Sequence, residues 1–308
     1  MTAVVNVLLP IFGLILAGYV CRRTGCLGET AASELNRFVV WLCLPALLFT
    51  ATATASLEAI WHPGFIAVVC IGTLFVFVIT LLYRWRGERH LADASIDGLS
   101  ASYANTGYIG IPLCVLVLGD EGLEPALVAT LIVVCVLFSI AIVCVEVGLQ
   151  SEGSAYHAVR KVLVALAKNP LVVSPILGAG WAASGLALPE AASRFLDMLG
   201  AATTPCALVS LGAFLAQRER GRAQGAAGLV GIKLIVHPLL VWLLASYVFP
   251  LPALWAKAAL LLSALPTGTG PFMLAEYYRR EASVVASSVL LSTVGSVVTL
   301  SVCLYWLG

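Results

Sequence analysis

Two runs of glycine, proline and hydroxyl residues interrupt otherwise apolar stretches of this chain: Asn105-Thr106-Gly107-Tyr108-Ile109-Gly110-Ile111-Pro112 and Pro266-Thr267-Gly268-Thr269-Gly270-Pro271. Glycine weakens a helix, and proline removes a backbone donor and crowds the preceding turn, so each run should unwind its helix. Pro112 and Pro271 suit the first positions of a new helix, where a missing N–H does no harm. The start of a helix offers free N–H groups and the positive end of its dipole, which together hold anions. Asn105, Thr106, Thr267 and Thr269 add side-chain donors and acceptors. These residue types suit reversible binding of a small anion, most simply a carboxylate. Lys233 and His237 form a second polar pair, four residues apart in an apolar run and so on one helix face. His237 is a candidate proton or anion contact, with Lys233 beside it. The plainer alternative sends Lys233 toward the membrane surface and leaves His237 bonded to a carbonyl.

The elements that must position these residues are apolar helices. Of the 308 residues, 61% are hydrophobic and 11% charged, where a soluble domain carries roughly 25% charged. That composition excludes a soluble fold, and a net charge of +1 offers no nucleic-acid partner. Windows of about 20 residues, the length that crosses a bilayer, fall at about 2–21, 35–55, 64–83, 96–118, 125–147, 169–187, 195–216, 226–249, 253–275 and 283–307. The expected fold is an all-α integral membrane protein of ten transmembrane helices. Arg22, Arg23, Arg84, Arg86, Arg89, Arg160, Lys161, Lys168, Arg218, Arg220, Arg222, Arg279 and Arg280 cluster on one side, with Arg194 and Lys257 on the other. Basic loops stay cytoplasmic, so both termini should face out.

The two halves echo one another. Pro10 and Pro175 are 165 residues apart, Pro45 and Pro205 are 160 apart, and Pro112 and Pro271 are 159 apart. A shared order and offset suggests a first repeat over 1–149, a linker over 150–168 and a second repeat over 169–308. Five crossings per repeat must invert the second half, the design of many secondary transporters. Broken helices at matching places, here the fourth and ninth, are the usual pointer to the binding site in such folds. The nine cysteines show no metal spacing and read as small hydrophobes. No metal, cofactor or catalytic motif is expected, so an enzyme is disfavoured. The carboxylates fall in loops or near segment ends, with Glu146 and Glu276 closest to the membrane. Ser292, Ser296 and Thr299 read as a packing face.

Four stretches resemble the auxin efflux carrier family: Asn105 to Pro112, Pro10 to Gly13, Lys233 to Pro238, and Ala264 to Pro271. The resemblance covers nearly the whole chain and implies two inverted five-helix repeats whose broken fourth and ninth helices cross. It implies a scaffold of segments 1, 2, 6 and 7 that makes a homodimer contact, and a transport domain of segments 3–5 and 8–10 moving elevator-fashion. The implied substrates are small organic anions, malonate or an auxin-like acid. The short linker resembles the bacterial members, which implies the cytoplasmic (inner) membrane. A channel for small solutes and a non-transporting membrane sensor are the other expectations the sequence leaves open.

Overall fold

The computed structural model describes residues 2–54, 61–150, 160, 163–164, 167–217 and 225–307. The expected linker 150–168 lies largely outside them, and Arg218, Arg220 and Arg222 wholly so. Among the described residues the chain is helical: α1 (Thr2–Arg23), α2 (Ala31–Ala53), α3 (Pro63–Arg86), α4 (Leu91–Ser102), α5 (Ile111–Leu118) and α6 (Asp120–Gly148). Then follow α7 (Pro170–Ala183), α8 (Glu190–Gln217), α9 (Ala226–Val248), α10 (Ala253–Ser263), α11 (Gly270–Tyr277) and α12 (Ala282–Leu307). Each expected apolar window meets a helix, except that the fourth and ninth each meet two. Among the described residues six helices (α2, α3, α6, α8, α9 and α12) are long and apolar enough to cross a membrane.

Large apolar side chains also lie on the outer surface. Leu16, Phe75, Ile79, Leu239, Val298 and Val302 are all exposed, an arrangement stable only where the surroundings are hydrocarbon. Trp61, Tyr83, Trp85, Tyr247, Tyr305 and Trp306 are exposed toward helix ends, where amphipathic rings suit a membrane interface.

Inside, the helices pack in two groups. In one, α1 lies along α8 and α7 along the second half of α2. Glycines let these backbones meet: a Cβ on Gly212 would stand 2.0 Å from the Ile15 carbonyl oxygen, and one on Gly178 would stand 2.5 Å from that of Phe49. Small residues do this work because apolar burial alone gives helices in lipid little reason to associate. In the other group α3 packs on α4, α4 on α6, and α9 on α10 and α12.

Wide π-type turns precede three prolines: Val39–Cys43 before Pro45, Thr106–Gly110 before Pro112, and Ile232–Val236 before Pro238. A proline ring crowds the carbonyl four residues back and offers it no N–H, and widening the turn relieves both. The structure therefore departs from one expectation. Helical winding resumes at Thr106, ahead of Pro112, because the π turn absorbs the strain that the proline imposes.

Candidate functional site

The two interruptions meet. Between α4 and α5 the backbone is extended at Tyr103 and Ala104, and between α10 and α11 it is irregular from Leu265 to Thr269. The Asn105 N–H donates to the Pro266 carbonyl at 3.0 Å and the Gly268 N–H to the Tyr103 carbonyl at 3.0 Å. Together they make an antiparallel bridge between Ala104 and Thr267. Backbone groups freed by unwinding are costly in an apolar medium, and here the two breaks satisfy each other.

Side chains complete the accounting at the two helix ends that carry negative dipole. The Thr267 hydroxyl donates to the Ser100 carbonyl near the end of α4 at 2.9 Å, and the Thr267 N–H donates to the Ser292 hydroxyl of α12 at 3.0 Å. Lys233, fully buried on α9, donates its ammonium to the carbonyl of Ser263, the last residue of α10, at 2.6 Å. A cation suits a helix C-terminus. Its Nζ also lies 3.2 Å from His237 Nδ1, and His237 Nε2 lies 3.4 Å from the Thr73 hydroxyl of α3. Lys233 thus stays inside rather than reaching for the surface. The pair ties α9 to the end of α10 and to α3.

A cavity of about 220 Å³ lies beside the two breaks. Asn105, Thr106 and Gly107 line it from the start of the Thr106–Gly110 turn, and Thr269, the residue ahead of α11, lines it from the other break. Leu44, Leu47, Leu48 and Ala51 of α2, Leu127, Leu131 and Val134 of α6, and Thr203 of α8 form the remaining walls. The π turn takes the Ile109 and Gly110 N–H groups onto the Asn105 carbonyl, leaving those of Gly107 and Tyr108 at the head of the turn with no carbonyl inside it to bond. Among the described residues, the half-buried Asn105 amide has no hydrogen-bond partner, and the buried Thr106 hydroxyl has none either. Unsatisfied polar groups beside an apolar cavity make it the candidate binding site.

The other expected residues hold the frame. Gly268 and Gly270 lie under the Tyr103 ring, where an added Cβ would stand 2.9 and 2.7 Å from ring carbons. Gly110 packs against Leu262 and Leu265, whose methyl carbons would lie 2.8 and 2.9 Å from a Cβ added there. Pro112 and Pro271 are the second residues of α5 and α11. Pro266 supplies the carbonyl that Asn105 binds. The Tyr108 side chain lies outside the described residues. Thr267 reaches the site but spends its hydroxyl on Ser100.

Sequence reading missed three contributors. Ser292 does more than pack, since it holds the Thr267 N–H. Thr203 faces the cavity from α8. Asp97, at the edge of an apolar window, is buried within α4 and binds Arg84 at 2.7 Å and Arg89 at 3.3 Å, while Arg89 also reaches Glu281 at 2.6 Å and Arg280 reaches Asp93 at 2.8 Å. These pairs pin the ends of α3, α4 and α12 together.

Residues 3–304 match the family model described as membrane transport protein. A Rhizobium meliloti protein named "Putative malonate transporter" is 30% identical over 99% of this chain and 96% of its own length. An "Uncharacterized transporter" of Methanothermobacter thermautotrophicus is 29% identical over 95% of this chain and 94% of its own. The "Uncharacterized transporter YfdV" of Escherichia coli K12 is 25% identical over 99% and 98%.

Proposed function

Because this chain belongs to the membrane transport protein family, that of the auxin efflux carriers, we propose that it is a secondary carrier for a small organic anion. The observation that supports the reading is one cavity lined by both breaks, through Asn105, Thr106 and Gly107 on one side and Thr269 on the other. A helix start is worth roughly half a positive charge, so a carboxylate placed there meets positive potential and donors without a lysine or arginine in the cavity wall. Malonate enters as a substrate candidate from the name of the Rhizobium relative; an auxin-like acid is the other.

In this reading the chain makes ten crossings in two inverted repeats, 1–149 and 169–308, with α4 and α5 forming one broken crossing and α10 and α11 the other. Both termini face out of a bacterial inner membrane. The group α1, α2, α7 and α8 is the fixed scaffold and the homodimer contact, and the remaining helices carry the crossing and its anion past it as an elevator. The cavity supports this division, because its walls come from both groups and a relative shift would move the crossing away from α2 and α8. The pinned helix ends around Asp97 support it too, since a domain that travels must travel as one body.

Flux is the test. Purified protein in liposomes should take up a labelled carboxylate saturably, and unlabelled substrate inside should accelerate that uptake by exchange. Conductance far above carrier rates would make the protein a channel. Binding without any flux would make it a sensor.

A further inference from the structure

The far end of α3 holds a second recess, of about 540 Å³, away from the crossing. The apolar Ile79 and Leu82 line it together with Tyr83 and three arginines, Arg84, Arg86 and Arg89. Ile79, Leu82, Tyr83 and Arg86 stand at i, i+3, i+4 and i+7, so they share one face of α3. Ile79, Tyr83 and Arg86 are exposed and Leu82 half-buried. Along the helix that face passes from side chains suited to hydrocarbon, through a ring suited to the interface, to a guanidinium at the last residue of α3. A phospholipid has the same order of acyl chain, glycerol ester and phosphate.

The usual duties of arginines at a helix end are already filled here. Basic side chains there often bond the last carbonyls. In α3 the Gly87 N–H takes the Tyr83 and Arg84 carbonyls, and the Glu88 N–H takes that of Trp85. Buried Asp97 holds Nε of both Arg84 and Arg89, and Glu281 holds Arg89 Nη1 at 2.6 Å. Those pairs fix two guanidinium groups in place while leaving the Arg84 Nη atoms without a carboxylate among the described residues. Arg86 has no hydrogen bond or ion pair among the described residues. Glu88, two residues on, lies outside the lining, which contains no acidic side chain. Three arginines against Asp97 and Glu281 leave the recess positive.

We propose that this recess binds an anionic phospholipid of the cytoplasmic leaflet, its phosphate on Arg84 and Arg86 and one acyl chain along Ile79 and Leu82. Guanidinium groups bind phosphate oxygens with two parallel hydrogen bonds. Basic pockets among membrane helices on the cytoplasmic side suit anionic headgroups. From the carrier reading the inference takes only the orientation, which puts this end of α3 at the cytoplasmic surface.

The test follows melting of the full chain in neutral detergent as phosphatidylglycerol, phosphatidylcholine or glycerol 3-phosphate is added. Wild type is compared with Arg86→Gln and with Arg23→Gln, which removes the same charge from the exposed end of α1. Phosphatidylglycerol should raise the wild-type melting temperature, and the other two compounds should not. Arg86→Gln should need about fivefold more phosphatidylglycerol for the same rise, the effect of one arginine near an anionic headgroup. Arg23→Gln should respond as wild type does. Equal rises with the two lipids, an equal response to glycerol 3-phosphate, or equal losses in the two variants would overturn the inference. The flux test of the carrier is independent of all three outcomes, and a chain without flux would keep this site.

Discussion

Replacing Lys233 with methionine should reduce uptake by about ten- to a hundredfold while the protein still purifies as a folded species. The side chains are similar in length, so the pocket stays filled. What is lost is the donor on the Ser263 carbonyl, 2.6 Å away. A buried carbonyl left without its donor costs about 1–3 kcal/mol. The α10 end would then relax, and with it the Leu265 to Thr269 segment that presents Thr269 to the cavity. Melting in detergent should drop along with uptake. Undiminished uptake by Lys233→Met would show that the ammonium neither holds the crossing nor serves the substrate.

Gly270→Ala should be nearly as harmful, for a steric reason. The new Cβ would stand 2.7 Å from a Tyr103 ring carbon, and Tyr103 cannot withdraw by a backbone shift because its carbonyl holds the Gly268 N–H at 3.0 Å. Its ring is also packed on Phe138, with centroids 5.8 Å apart. Overfilling such a contact costs about 1–3 kcal/mol, so transport should fall by about ten- to a hundredfold. The Gly270→Ala, Tyr103→Leu double variant should recover part of that loss, because the two changes act on one contact and cannot be additive. A double variant that loses the sum of both single effects would place the Gly270 requirement elsewhere.

The parts of this site that are legible in the sequence are those where residue type dictates backbone. Gly107, Gly110, Gly268, Gly270, Pro112 and Pro271 cannot sit comfortably in a continuous apolar helix, so the breaks announce themselves, and their matched spacing places them together. Lys233 and His237 are legible as a pair because four residues is a fixed helical relation. Which group Lys233 serves is not legible, because Ser263 is thirty residues distant and offers only a carbonyl, which every residue has. Thr203 and Ser292 leave no signal for a similar reason. A hydroxyl inside an apolar segment looks the same whether it returns to its own helix, supports a neighbour's N–H or faces a cavity. Asp97 is misplaced by sequence reading because hydropathy sets a segment boundary only to within a turn, and one turn separates a loop carboxylate from a buried one paired with two arginines.

In the proposed carrier substrate binding depends on Asn105, since it lines the cavity while its backbone joins the two breaks. The decisive measurement is uptake of labelled malonate and indole acetate into liposomes holding wild type or Asn105→Ala. Saturable uptake of one acid by wild type, lost in a variant that still melts as a folded protein, is the predicted result. Uptake indifferent to Asn105 would contradict it and move the binding site away from the crossing.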